Sequence, residues 1–273
     1  MKSFRIWLRK YHILHKVISS IYRTLFQPII NGYYKGMLQY NLFIKKHELR
    51  LLKSKGFKNI KKFKKKSWKF GNNSDNVFRR YYTAEYSDKL AFVKIAKNDL
   101  TLLNEIELAA YIKDYDLPFV SKTYCYDYHF SDNTAFLASE YSENLKPFNS
   151  ISDNILLNEL FKQYNYILEK LEEIGIVHAD IHENNLMINN SNNLTLIDFG
   201  ISIIKGKNTK IDYIARPGTF YKTSDDGKKR IYDDAYSFIK MCERCYPDKN
   251  LQYNEEYKKI ADRIGKNTAI IIL

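Results

Sequence analysis

The stretch GIVHADIHENNLMINNSNNLTLIDFG, residues 175–200, sets two short apolar runs around a loop rich in acids, histidines and asparagines. Its aspartates Asp180 and Asp198 stand eighteen positions apart, each beside an apolar run. A polar turn between two buried strands explains the asparagine-rich segment 190–193, since such residues form turns readily. It does not explain Asp180, Asn185 and Asp198. Asn185 follows Asp180 by five residues, and Asp198 closes the run LTLID just before Phe199 and Gly200, where glycine lets the backbone turn sharply. Two carboxylates and a side-chain carbonyl are hard oxygen donors of the kind that suits Mg2+.

Phosphoryl transfer from a nucleotide also needs a lysine against the phosphate charge and a carboxylate to hold that lysine. Both lie upstream. Lys94 sits in the apolar run LAFVKIA, where an inward lysine would be costly to bury unpaired. Glu105, on the helical stretch that follows, can supply the partner charge, with Glu107 as the alternative because one sequence does not fix helix phase.

These residues carry a resemblance. HADIHENN is similar to the catalytic loop of the protein-kinase-like fold, and DFG to its magnesium-binding motif. AFVK resembles the strand-lysine motif, and NEIE the start of the helix with its partner glutamate. The resemblance runs from about Trp68 to Met241, with the motifs in the family's order. It implies an α+β, two-lobed fold, a small antiparallel sheet lobe and a larger helical lobe, using ATP and Mg2+. It implies Asp180 as the catalytic carboxylate at the acceptor hydroxyl, Asn185 and Asp198 as magnesium ligands, and Lys94 at the α- and β-phosphates, held by Glu105. Glu140, in SEYSENL, falls at the lobe-connecting hinge, where its backbone would meet the adenine. Gly71 falls in the loop over the phosphates. Asp234, in DDAYSF, resembles the buried aspartate that braces the catalytic loop, and His178 a packing member of that loop.

Two departures bear on function. FGNNSDNVF holds only Gly71 where that loop is usually glycine-rich, although Asn and Asp tolerate positive φ. His182 stands where protein kinases usually have lysine, and D-x-H-x-x-N is similar to the loop of aminoglycoside, choline and lipopolysaccharide-core sugar kinases. The favoured acceptor is therefore a membrane-associated saccharide such as a lipopolysaccharide core sugar, as for the short, basic heptose kinases of the same fold. Only 39 residues follow Asp234, fewer than a full helical platform for docking peptides. Against this, RPGTFY followed by YDDAYSF resembles the activation-segment end of Ser/Thr protein kinases, which keeps a protein acceptor as the alternative. The poor glycine loop also leaves a pseudokinase scaffold open, opposed by the retained Lys94, Asp180, Asn185 and Asp198.

The net charge of +13 is unevenly placed. Residues 1–70 hold nineteen Lys or Arg and one acid, while the other 203 residues hold 25 basic and 30 acidic side chains. That asymmetry points the front of the chain at an anionic partner. Trp7, Tyr11, Leu14, Ile18, Ile21 and Leu25 form one stripe at helical spacing. A basic amphipathic helix of this kind can lie on an anionic membrane, or dock the same stripe on the protein's own core. Lysines alternating with aromatics in KKFKKKSWKF would also suit RNA, but such runs are more often solvated or membrane-directed. No run reaches the roughly 18 apolar residues of a spanning helix. Three cysteines imply no disulfide framework, and the lone C-x-x-C of Cys242 and Cys245 reads as two thiols on one helix. The expected location is the cytoplasm, peripheral at the inner face of the membrane.

Residues 1–60 read as a basic helical segment and 61–273 as the catalytic domain, its lobes 61–141 and 142–273. Strands are expected over VFRRYYTAEY and KLAFVKIA, a helix over DLTLLNEIELAAYIKDY, and a hairpin from TYCYDYHF and TAFLASEY. A long helix ends at Gly175, two short strands follow at LMIN and LTLID, and a basic loop runs from Gly200 to about Arg230. The helix YDDAYSFIKMCERCY comes next, and the closing segment reads as helical with a short apolar end.

Overall fold

The computed structural model describes residues 45–63, 79–129, 133–207 and 221–272. Gly71, the stripe of residues 7–25 and RPGTF lie outside them. The chain divides into two compact units between Phe57 and Lys58. In the first, helix α1 (45–54) stops at Gly56, whose φ of +90° costs a glycine little. There Gly56 N–H donates to Lys53 O and Phe57 N–H to Leu52 O, the paired bonds that close a helix end.

The second unit opens with an antiparallel five-stranded sheet in the order β1-β2-β3-β5-β4, made of β1 (Lys58–Lys62), β2 (Arg79–Tyr86), β3 (Lys89–Lys97), β4 (Thr123–His129) and β5 (Thr134–Glu140). Ser87 and Asp88, at φ +48° and +61°, form the two-residue turn of the β2–β3 hairpin, matching the strand twist. Alternation gives the sheet two faces. Tyr82, Ala84, Ala91, Val93 and Ile95 are buried on one, while Tyr81, Phe92 and Lys94 are half-buried on the other. Helix α2 (Leu100–Ile112) follows β3, capped by Asp99, whose side chain accepts from Thr101 N–H and Leu102 N–H.

The remainder is mainly helical. Helix α3 (Asn154–Glu173) is capped by Asp153, and its apolar stripe of Leu157, Leu160, Phe161, Tyr164, Leu168 and Leu171 is buried. It packs on helix α4 (Asp234–Cys245), with Tyr164 and Phe238 stacked at 3.8 Å. Each such side chain taken from water contributes about 1.5–3 kcal/mol, which anchors the loops above it. Cys242 is buried on α4 and Cys245 half-buried near its end. Gly175, at φ +69°, ends α3, and β7 (Ile176–Val177) leads into the loop 178–185. Strands β6 (Lys146–Pro147), β8 (Leu186–Ile188) and β9 (Leu194–Leu196) form a three-stranded sheet, and β10 (Ile203–Ile204) pairs with β7.

Three elements differ from expectation. The segment KNIKK forms β1, recruited by pairing with β2 although it has no apolar alternation. The expected loop to Arg230 contains β10, β11 (Lys222–Thr223) and the start of β12 (Lys229–Asp233). The closing segment holds a 3-10 turn (Leu251–Tyr253) and the seven-residue helix α5 (Glu255–Ala261); β13 (Thr268–Ile272) then pairs antiparallel along β12. The apolar end of the chain is a sheet strand because its partner lies far upstream.

Candidate active site

Lys94 projects from β3 into a cleft of about 320 Å³ that both parts of the second unit line. Glu105 meets it from α2, with Lys94 Nζ donating to Glu105 Oε1 at 2.5 Å. Glu107 is exposed. Lys94 Nζ also lies 3.6 Å from Asp198 Oδ1. Burial alone would lower the Lys94 ammonium, but Glu105 and Asp198 outweigh it and hold it above its ordinary value. Burial raises the Glu105 carboxyl, offset in part by Lys94, and its Oε2 has no hydrogen-bond partner.

The loop after β7 fixes the second group. Asn185 Nδ2 donates to both Asp180 O and Asp180 Oδ2 at 3.0 Å, and each residue is only 4 % exposed. Both acceptors are oxygens, so the amide can face them only with its nitrogen, which leaves Oδ1 as its acceptor end. Ile197 N–H donates to Asn185 O at 3.0 Å, tying this loop to the strand end that carries Asp198. Asp198 itself adopts φ +64°. The glycine of DFG sits in a close approach: a Cβ on Gly200 would stand 3.3 Å from Thr101 Cβ and 3.4 Å from Thr101 O on α2, tighter than an ordinary contact.

Asp234 braces the loop from the start of α4, its two carboxylate oxygens accepting from His178 N–H at 2.7 Å and Ala179 N–H at 3.0 Å. Burial pushes its carboxyl up to about 7, against the pull of these two bonds. His178 Nδ1 accepts from Asp180 N–H at 3.3 Å, so Nε2 carries the proton toward Ile197 O at 3.1 Å. That neutral tautomer agrees with burial lowering the imidazole to about 4. His178 packs on Phe199, with ring centroids 4.6 Å apart. His182 Nδ1 accepts from Asn184 N–H, and its Nε2 lies 3.8 Å from Asp180 Oδ2.

Glu140 lines the cleft; its side chain is exposed and its N–H donates to Lys122 O at 2.8 Å. Two residues of this region escaped the sequence reading. Arg79 is buried on β2 and grips Asp99, while its Nη1 lies 4.0 Å from Asp198 Oδ1. Asn104 Nδ2 donates to Ser202 O at 2.9 Å and Gly200 O at 3.2 Å, tying α2 to the DFG segment. The available signals were an adjacent arginine pair in a strand and a polar residue one step before Glu105.

Residues 133–231 match the model of the ABC1 atypical kinase-like domain. This stretch is similar to a protein-kinase-like domain. Over 106 residues the chain is 32% identical to the "Probable serine/threonine-protein kinase mkcE" of Dictyostelium discoideum, covering 37% of this chain and 14% of that protein. Over 134 residues it is 27% identical to "Probable serine/threonine-protein kinase samkC" of the same organism, covering 45% and 14%. The aligned stretches thus span a small part of those relatives' length. The likeness to kinases covers the loop with Asp180 and Asn185 and the segment with Asp198, and extends to the α+β architecture with its antiparallel sheet.

Proposed function

We propose that this chain is an ATP-dependent kinase that transfers the γ-phosphate to a hydroxyl. One observation carries the reading: Lys94, Glu105 and Asp198 converge within a single cleft that Asn185, the hydrogen-bond partner of Asp180, also lines. Among the described residues no group of three His, Cys, Asp or Glu could hold a metal alone. One carboxylate and one amide oxygen instead fit Mg2+, which is commonly held by one or two protein carboxylates and substrate phosphates. Asn185 and Asp198 would hold it, and when bound it supplies charge neutralisation at the phosphates. Lys94 binds the α- and β-phosphates, and Glu105 keeps its ammonium in the cleft. Asp180 orients the acceptor hydroxyl and takes its proton, with Asn185 fixing the carboxylate through Oδ2.

The favoured acceptor is a saccharide hydroxyl on a membrane-associated glycan. His182, whose Nε2 lies 3.8 Å from Asp180 Oδ2, supports this by putting a compact hydrogen-bonding ring where a long ammonium side chain would otherwise stand. The names of the Dictyostelium relatives favour a second reading, a Ser/Thr protein acceptor. The deciding experiment incubates the chain with labelled ATP, extracted cell-envelope glycan and a generic protein together. Label in glycan supports the first reading and label in protein the second. Asp198→Ala should abolish transfer, and Asp180→Ala should reduce it about 10²- to 10⁴-fold. Turnover that survives Asp198→Ala would refute the kinase assignment.

A further inference from the structure

The β11–β12–β13 sheet meets the catalytic loop along one face. Val177 and Ala179, just before Asp180, share a buried cluster with Ile203, Tyr232 and Ala269, and Tyr221 packs against it. Strand alternation puts Arg230 on the same face of β12 as Tyr232, two residues or about 7 Å nearer the hairpin tip. Arg230 is half-buried there, its guanidinium 5.2 Å from the centroid of the Tyr221 ring, and the Tyr221 and Tyr232 rings lie 5.8 Å apart. Burial raises the Tyr232 phenol; Arg230, which donates to its hydroxyl, lowers it, and the Asp180 carboxylate raises it again. That hydroxyl therefore sits within electrostatic reach of both the guanidinium and the catalytic carboxylate.

None of Tyr221, Arg230 and Tyr232 lines the cleft that holds Lys94 and Asp198. The group reaches Asp180 by way of Ala179, outside the nucleotide's place, and an acceptor also has to come to Asp180 from outside that place. A guanidinium held against a ring and a phenol is ordered in advance, and its five N–H donors exceed what one phenol oxygen accepts. Such an arginine suits a phosphate or a carboxylate, which it meets with two parallel hydrogen bonds. The acids of this hairpin stand at its tip, where Asp226 accepts from Ser224 Oγ and Lys228 N–H. Aminoglycosides and choline, acceptors of kinases whose loop the D-x-H-x-x-N pattern resembles, are cations that the same arginine repels.

We propose that Arg230 is a specificity-determining residue for the acceptor, and that the acceptor is an anionic saccharide with a phosphate or carboxylate beside the hydroxyl that is phosphorylated. This rests on the kinase reading above. In the transfer the acceptor oxygen bonds to the γ-phosphorus as the bond to the ADP oxygen breaks, and its proton passes to Asp180. The test gives the full chain labelled ATP, Mg2+ and extracted cell-envelope glycan, either untreated, stripped of phosphate esters with hydrofluoric acid, or with its carboxylates amidated. The untreated glycan should take label, and one of the treated forms should take at least about tenfold less, which also names the anion. Arg230→Gln should raise KM for the untreated glycan about 10- to 150-fold with kcat little changed, and should match wild type on the treated form that loses label. Arg230→Lys, which keeps the charge without the fork, should recover part of that loss. Equal labelling of all the glycan forms overturns the inference, and this arm decides even where the glutamine variant fails to fold. An unchanged KM in Arg230→Gln, or a preference for kanamycin or choline over glycan, overturns it as well. Label that enters a generic protein and no glycan also overturns it and leaves the kinase reading standing. No consumption of ATP with any acceptor overturns the kinase reading and this inference with it.

Discussion

Arg79 on β2 holds Asp99, the cap of α2, through two guanidinium nitrogens at 2.7 and 2.9 Å. The same Asp99 carboxylate accepts from Thr101 N–H and Leu102 N–H, so one side chain both starts the helix and ties it to the sheet. Burial would raise the Asp99 carboxyl, but Arg79 holds it below its ordinary value. The register of Glu105 against Lys94 depends on where this helix begins.

Asp99→Ala removes the cap and leaves Arg79 buried without its carboxylate. Breaking a buried pair in this way typically costs about 3–5 kcal/mol. Asp99→Asn keeps a cap of equal quality but offers Arg79 one uncharged acceptor oxygen in place of two, so it should be milder only by the cap, about 1 kcal/mol. Urea unfolding of the two variants checks this, and equal losses would show that the cap contributes nothing beyond the ion pair.

Opposed titrations beneath the catalytic loop make a second prediction. Asp234 rises from 3.8 to about 7 on folding, so its contribution is fully present below the lower value and is lost as pH rises through the upper. His178 falls from 6.5 to about 4, so its contribution is present above the upper value and is lost as pH falls through the lower. Between roughly pH 4 and 6.5 the two slopes cancel, and these groups leave wild-type stability flat. Asp234→Asn should uncover a stability that rises by about 1.4 kcal/mol per pH unit across this window. His178→Gln, which can still donate to Ile197 O, should uncover a fall of similar size. Chemical denaturation at several pH values would test it; two variants running parallel to wild type would contradict the assignment.

Local chemistry made much of this architecture legible, and long-range pairing hid the rest. The alternation in RRYYTAEY and KLAFVKIAK, and the acids Asp99 and Asp153 before apolar helical stretches, are visible within a few residues and match the observed β2, β3, α2 and α3. The strand KNIKK has no apolar face to betray it, and exists because β2 offers it a ladder. The pairing of Ile231 with Ile270 joins segments that local periodicity cannot relate. Near the cleft, Arg79 and Arg80 are adjacent in sequence, and alternation says only that they face opposite ways. The tertiary structure makes Arg79 the buried one. The residues from 64 to 78, with Gly71 among them, and the first 44 lie outside the described part, so their expected roles rest on sequence.

The charge excess at the front of the chain yields a third prediction. No helix of the described residues is long and apolar enough to cross a membrane. Nineteen basic side chains within residues 1–70 would instead bring an anionic lipid surface to the enzyme, and that attraction weakens as salt shortens the Debye length. Sedimentation with phosphatidylserine-containing vesicles should show binding that falls steeply between low and physiological salt. Removal of residues 1–30 should abolish it, and undiminished binding after that truncation would exclude the amphipathic stripe as the contact.

The junction between α2 and the DFG segment supports the final prediction. Asn104 Nδ2 donates to the carbonyls of Gly200 and Ser202, and Gly200 packs so closely against Thr101 that a methyl group there would have to press it back by a few tenths of an ångström. Both contacts couple the helix that carries Glu105 to the turn that carries Asp198. Asn104→Asp replaces the donor with a carboxylate facing carbonyl oxygens, which leaves those acceptors unmet at a cost of about 1–3 kcal/mol. Gly200→Ala forces Thr101 aside, with an overpacking cost of about 1–3 kcal/mol. Since these residues share one interface, their effects should not add, and the double variant should lose less stability than the two singles together. A cycle of thermal or urea unfolding over the four proteins measures that coupling. Strict additivity would mean that helix and DFG turn move independently, and that Glu105 and Asp198 reach Lys94 by separate routes.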